Sequence, residues 1–174
     1  MFTSAPRVAA AATAFAIALS TPLMAQESTN AIGSEGDWTA FSAASPKECW
    51  GVSVPKETVN SKDGKPVQVR RGDIQLFVTY RPGKGGEVSF TGGYPFAPGS
   101  TVSVDVDGAK FELFTDGEWA WTGGAQEDTA LLSAMKRGTN AVLSARSGKG
   151  TQTKDTFSLR GFSAAMDDAS TRCQ

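Results

Sequence analysis

Residues 101–121, TVSVDVDGAKFELFTDGEWAW, decide the fold. Val102, Val104 and Val106 alternate with Ser103, Asp105 and Asp107. A period of two puts the valines on one face of a strand and the polar side chains on the other. Asp107-Gly108 follows, a pair suited to the positive φ angles of a tight hairpin. Phe111 and Leu113 carry the alternation back, and a second Asp-Gly pair, Asp116-Gly117, turns the chain into Glu118-Trp119-Ala120-Trp121. Three strands joined by two tight turns form an antiparallel meander.

The same signals extend to both sides. Cys49 to Val54 reads as a strand closed by Pro55, residues 56–66 as a charged loop with an Asp63-Gly64 turn, and Asp73 to Tyr80 as a β-branched and aromatic strand. Glu87 to Thr91, Asn140 to Arg146 and Thr151 to Leu159 read as further strands, and Gly92 to Gly99 as an irregular loop. One helix is expected where Asp128 can cap it, Leu131, Leu132 and Met135 form an apolar stripe, and Gly138 can stop it. A short helical turn is expected at 163–169. Together these predict a mainly β domain, an antiparallel sandwich or barrel-like fold with one or two short helices.

The N-terminus reads as an address. Arg7 precedes the short apolar run 8–20, VAAAATAFAIALS, and Leu23-Met24-Ala25 supplies a small residue before a cut. This is the pattern of a secretory signal peptide over 1–25, cleaved near Ala25, and the run is too short to span a membrane as a helix. Residues 26–47 are polar and small, with Ile32, Trp38 and Phe41 as their large apolar members, and read as a flexible arm. The β-rich domain is then 48–174. No transmembrane span is expected in the mature protein, which is placed in the periplasm or on the outer surface.

The chain has 174 residues, 17 Lys+Arg against 18 Asp+Glu, and no histidine. Balanced charge argues against binding nucleic acid or anionic lipid through bulk charge. Without imidazole there is no Ser-His-Asp triad, no Cys-His dyad and no His-ligated zinc. The only cysteines, Cys49 and Cys173, bracket the domain. In an oxidising compartment an even count without histidine argues for a structural disulfide; the alternative is an intermolecular role for two free thiols.

Other candidate motifs have plain readings. Ser133-Ala134-Met135-Lys136 matches the S-x-x-K of serine β-lactamases and penicillin-binding proteins but lacks their S-D-N and K-T-G partners. With Ser103 at the first position of a calcium loop, the twelfth falls on Phe114 instead of glutamate. Glu112, Glu118 and Asp155 are carboxylates with nothing local to pair them. No catalytic residue, metal site or cofactor is assigned. The aromatic residues carry more. Trp119 and Trp121 share one strand face, which is either core or a binding platform, and Tyr94 and Phe96 flank Pro95 in a glycine-rich loop. These four form the candidate binding surface. Thr151, Thr153 and Asp155 share another face, either polar surface or a buried hydrogen-bond ladder.

Several pieces then occur in a telling order: Cys49-Trp50, Arg71-Gly72, Gly93-Tyr94-Pro95-Phe96, Val106-Asp107-Gly108, Trp119-Ala120-Trp121, Ala134 to Gly138, the run GTQTKDTFSLRGF over 150–162, and Cys173. In this order they resemble the invasion-associated locus B family of exported alphaproteobacterial proteins, over roughly residues 48–173. The resemblance implies a small β-rich protein of the periplasm or outer surface, with a part in host-cell entry among pathogenic relatives, and no catalytic set. The expected function is therefore a non-enzymatic exported β-domain that binds an envelope or host protein or a glycan. A periplasmic hydrolase using carboxylates or Ser/Lys, and a structural envelope component, are the alternatives.

Overall fold

The structure, a computed structural model, describes residues 30–174; the expected signal peptide and its cleavage site lie outside the described residues. Twelve strands form one sheet in which every pairing is antiparallel. They are β1 Ala31–Glu35, β2 Trp38–Ala44, β3 Lys47–Ser53, β4 Glu57–Lys62, β5 Lys65–Pro66, β6 Gln75–Tyr80, β7 Glu87–Thr91, β8 Thr101–Val106, β9 Ala109–Asp116, β10 Trp119–Trp121, β11 Asn140–Arg146 and β12 Gln152–Ser158. The helices are α1 Ala125–Arg137 and α2 Phe162–Arg172. The spatial order is β1-β2-β3-β6-β7-β10-β9-β8-β11-β12-β4-β5.

That order forces the sheet to curl. β3 and β4 are separated by seven other strands, a distance of roughly 38 Å across a flat sheet. The link between them, Val54-Pro55-Lys56, spans at most about 14 Å. The sheet therefore rolls until the ends of β2 and β3 reach β12. Three hydrogen bonds mark the seam: the Trp38 indole N–H to Ser158 O at 2.9 Å, Asp37 N–H to Arg160 O at 2.9 Å, and Lys56 N–H to Thr156 O at 2.7 Å.

The inner face holds the core, and the meander behaves as its alternation predicts. Val102, Val104, Val106 and Leu113 are buried there with Val78, Phe90, Leu143 and Phe157. The helices close the same side. Leu131, Ala134 and Met135 form the buried stripe of α1, and Phe162, Ala165, Met166 and Ala169 that of α2, each at i, i+3, i+4 spacing. Gly51 makes the docking of α2 close: a Cβ there would overlap the Met166 methyl.

Four local expectations are corrected. The polar arm of 26–47 is ordered sheet from Ala31 on. Trp38 and Ala40 point inward, and Trp38 meets Phe162 edge-on at 4.8 Å. Its Ala, Ser and Thr content looked unstructured, yet small residues suit a strand lying under a helix. The loop of 56–66 is the β4–β5 hairpin, turned by Asp63-Gly64, both at positive φ. Asp128 does not cap α1, which begins three residues earlier after Gly124; its buried carboxylate accepts from Val88 N–H and the Thr122 hydroxyl, both at 2.8 Å. The helical turn at 163–169 extends over 162–172 and delivers Cys173 to Cys49, with Cα atoms 5.8 Å apart in a disulfide.

Candidate functional site

The four aromatic residues picked from sequence lie in three different environments. Phe96 is core, 6% exposed and packed on Phe90, so its place in a binding surface is withdrawn. Its loop is tied down at two adjacent residues, Phe96 N–H to Gly117 O and Ala97 N–H to Arg146 O, each at 2.9 Å. Tyr94 is half-buried in a polar network. Trp119 and Trp121 lie on the outer face of the sheet, so of the two readings of their shared face the core reading fails.

The network around Tyr94 gathers three of the sequence pieces that carried the family resemblance. Arg71 reaches from the irregular segment between β5 and β6 to Asp155 on β12. Its two terminal nitrogens donate to both carboxylate oxygens, at 2.8 and 2.6 Å, and its Nε donates to Gly92 O at 2.8 Å. Both side chains are buried. Tyr94 lies against the guanidinium at 5.0 Å and its hydroxyl meets that of Thr153 at 2.5 Å. Gly72 N–H donates to Gly93 O at 2.8 Å, and Gly93, at φ 72°, leaves no space for a Cβ beside the Gly72 backbone. Thr151, Thr153 and Asp155 are thus a buried ladder. Burial pushes the Asp155 carboxyl above its ordinary value, with the Arg71 guanidinium pulling against it. Burial likewise pushes the Tyr94 hydroxyl up.

Above this network lies a cleft of about 530 Å³ whose rim carries Arg70, Lys149 and Glu118. Arg71, Tyr94 and Thr153 also line it, and Arg71 is already committed to Gly92 and Asp155. Three residues of the other motifs are occupied too. Lys136 extends to Asp167 of α2 at 2.9 Å. Asp105 is held below its ordinary carboxylate value by the Lys110 ammonium and then the Gly108 N–H, and Asp107 accepts from Thr139 N–H at 2.6 Å.

The outer face is built differently. Phe77 on β6, Trp119 and Trp121 on β10, and Phe114 on β9 form a continuous row. Ring centroids are 5.7 Å apart for Phe77–Trp119, 6.4 Å for Trp119–Trp121 and 5.7 Å for Phe114–Trp121. β6 and β10 flank β7, so their backbones are about 9.5 Å apart. Rings standing upright would keep that distance; these lean together over β7. Ser89 and Thr91 point outward from β7, yet each is only 8% exposed, because the rings cover them. Trp119 and Phe114 remain 40% and 51% exposed. Phe77 and Phe114 were not singled out in the sequence. The signal was there, since each sits at the outward parity of its strand, but only cross-strand register brings them beside the tryptophans. A second pair, Phe41 and Trp50, faces outward on β2 and β3 with centroids 5.6 Å apart.

Fold and surface define a class: a rolled antiparallel β-domain, closed by helices and one disulfide, with its polar groups tied up inside and aromatic rings outside. The family model for the invasion associated locus B protein matches residues 38–170, and the chain belongs to that family. The crystal structure of invasion associated protein B from Bartonella henselae shares the fold, with a TM-score of 0.53 at 17% identity over 79% of this chain and 94% of that one. No curated protein matches the chain. Among the described residues, no helix is long and apolar enough to cross a membrane.

Proposed function

We propose that this protein is an exported, non-enzymatic binding domain that works at the cell envelope or outer surface through its outer aromatic face. One observation carries the reading: four rings form a row on the outer face, with Trp119 and Phe114 exposed and Phe77 and Trp121 half-buried, whereas the charged groups of the interior are spent on the fold. Buried Asp155 and Asp128 serve Arg71 and β7, respectively. Aromatic side chains provide large contact area at low entropic cost, and exposed clusters of them mark interaction surfaces. The apolar run before Ala25 supports export, and membership of the invasion associated locus B family supports a part in invasion.

The test has two arms. The N-terminus of the protein recovered from the cell envelope should begin near Gln26. Retention of the protein on isolated envelope or host-surface fractions should fall with Trp119→Ala. Robust turnover in a broad hydrolase panel, abolished by one point substitution, would overturn the non-enzymatic reading.

A further inference from the structure

We propose that the aromatic row on β6, β10 and β9 is a glycan platform that takes a neutral oligosaccharide; this rests on the reading of the domain as a surface binder and gives its ligand a chemistry. Trp119 and Phe114 keep 40% and 51% of their surface open to solvent, so aromatic ring surface is available for contact. Successive planes differ by 45°, 25° and 31° from Phe77 through Trp119 and Trp121 to Phe114, with centroids 5.7–6.4 Å apart. Ring faces of this kind stack on the C–H faces of pyranoses. From Phe77 to Phe114 the row crosses three strand intervals, roughly 14 Å, which accommodates more than one sugar ring.

The rim supplies what hydroxyl groups need. Gln75 lies beside Thr91, Asp116 is paired across the turn with Trp119, Thr101 is opposite Phe114, and Glu112 precedes Phe114 on the same face. Among the described residues neither Glu112 nor Asp116 takes part in an ion pair, so both keep acceptor capacity. The same two carboxylates disfavour uronic acids, nucleic acid and anionic lipid. They also disfavour a second copy of this chain, since a two-fold contact would bring like charges together. Four rings also fall well short of the roughly 800 Å² per partner that a stable interface buries.

The experiment titrates the full protein, as processed by the cell, with cellohexaose and chitohexaose, following tryptophan fluorescence and amide chemical shifts. The expected result is a saturable response to at least one of them, with shifts centred on β9 and β10. Trp119→Ala and Phe114→Ala should each weaken it about tenfold, the loss of one stacking contact. Circular dichroism should show both variants folded. No response to either sugar up to its solubility limit overturns the proposal. So do shifts that map to the Arg70–Lys149 cleft, salt-sensitive binding of a lysine-rich peptide in place of the sugars, or a dimer that Trp119→Ala dissociates. If the sugars fail while envelope retention still depends on Trp119, the glycan is wrong and the binder reading stands. If sugars bind but envelope retention is unaffected, the platform is real and its assigned place at the envelope is wrong.

Discussion

Tyr94 and Trp119 are both aromatic residues within the sequence pieces that mark the family, yet they do opposite jobs. Tyr94 covers an internal ion pair and shares its hydroxyl with Thr153. Trp119 shields small polar residues of β7 and leaves its own ring in water. The first region is dense with directed hydrogen bonds that link segments far apart in sequence. The second has aromatic contacts between neighbouring strands and few polar commitments. An uneven distribution of aromatic residues in a sequence therefore says little about role until strand parity and cross-strand register are known.

The contrast predicts that stability depends far more on the interior contacts than on the outer row. The largest loss should come from Cys49→Ser, which opens a closure of 124 residues, with a chain-entropy value of about 5 kcal/mol. Denaturant titration of the wild type and the variant measures it; an unchanged midpoint would remove the disulfide from the account. Next comes Arg71→Met, which leaves Asp155 buried without its partner and should cost about 3–5 kcal/mol. The double variant Arg71→Met, Asp155→Leu should recover part of that loss, because an absent charge is cheaper than an unpaired one. If the double variant is no better than the single, the ion pair is not what holds this end of the sheet.

A smaller effect separates the seam from the rest through pH. The Lys56 ammonium, and after it the Arg160 guanidinium, hold the Asp37 carboxyl well below its ordinary value. A carboxyl depressed in the folded state stabilises the fold above its unfolded value, about pH 4, and loses that contribution as pH falls further. Asp37→Asn should therefore flatten the decline of melting temperature below about pH 4 and lower stability at neutral pH. Equal acid sensitivity in the two proteins would refute the assignment. The smallest effect on stability should be that of Trp119→Ala, about 1 kcal/mol, the loss of its ring contacts with Phe77 and Trp121. A larger loss would mean the outer row is part of the core after all.

How much of this could be read from the chain depends on the range of the interaction. The 101–121 meander was legible because alternation and Asp-Gly turns are local. The Cys49–Cys173 bridge was legible from count and expected compartment. β1 and β2 were not, because Ala40, Ser42 and Ala43 have weak strand preference, and Trp38 finds its partner, Phe162, at the other end of the sequence. The link between Arg71 and Asp155 was equally hidden, since it depends on how the sheet rolls. Trp119 and Trp121 were read correctly as sharing a face, but their side of the sheet was left open. The outward parity of Ser89 and Thr91, buried all the same, settles that, and it is visible only in three dimensions.

The three-residue link from β3 to β4 has a consequence for how the molecule is made. β4 hydrogen-bonds β12, Trp38 donates to Ser158 and Cys49 waits for Cys173. A chain emerging amino end first, from ribosome or translocase, can pair β1 with β2 and β2 with β3 at once, but β4, Trp38 and Cys49 meet these distal partners only when nearly the last residue is out. Closure of the rolled sheet is accordingly a late, post-release event. Until then the apolar stripes of the nascent polypeptide need a chaperone's custody, and a thiol oxidase acting early would find only one sulfur.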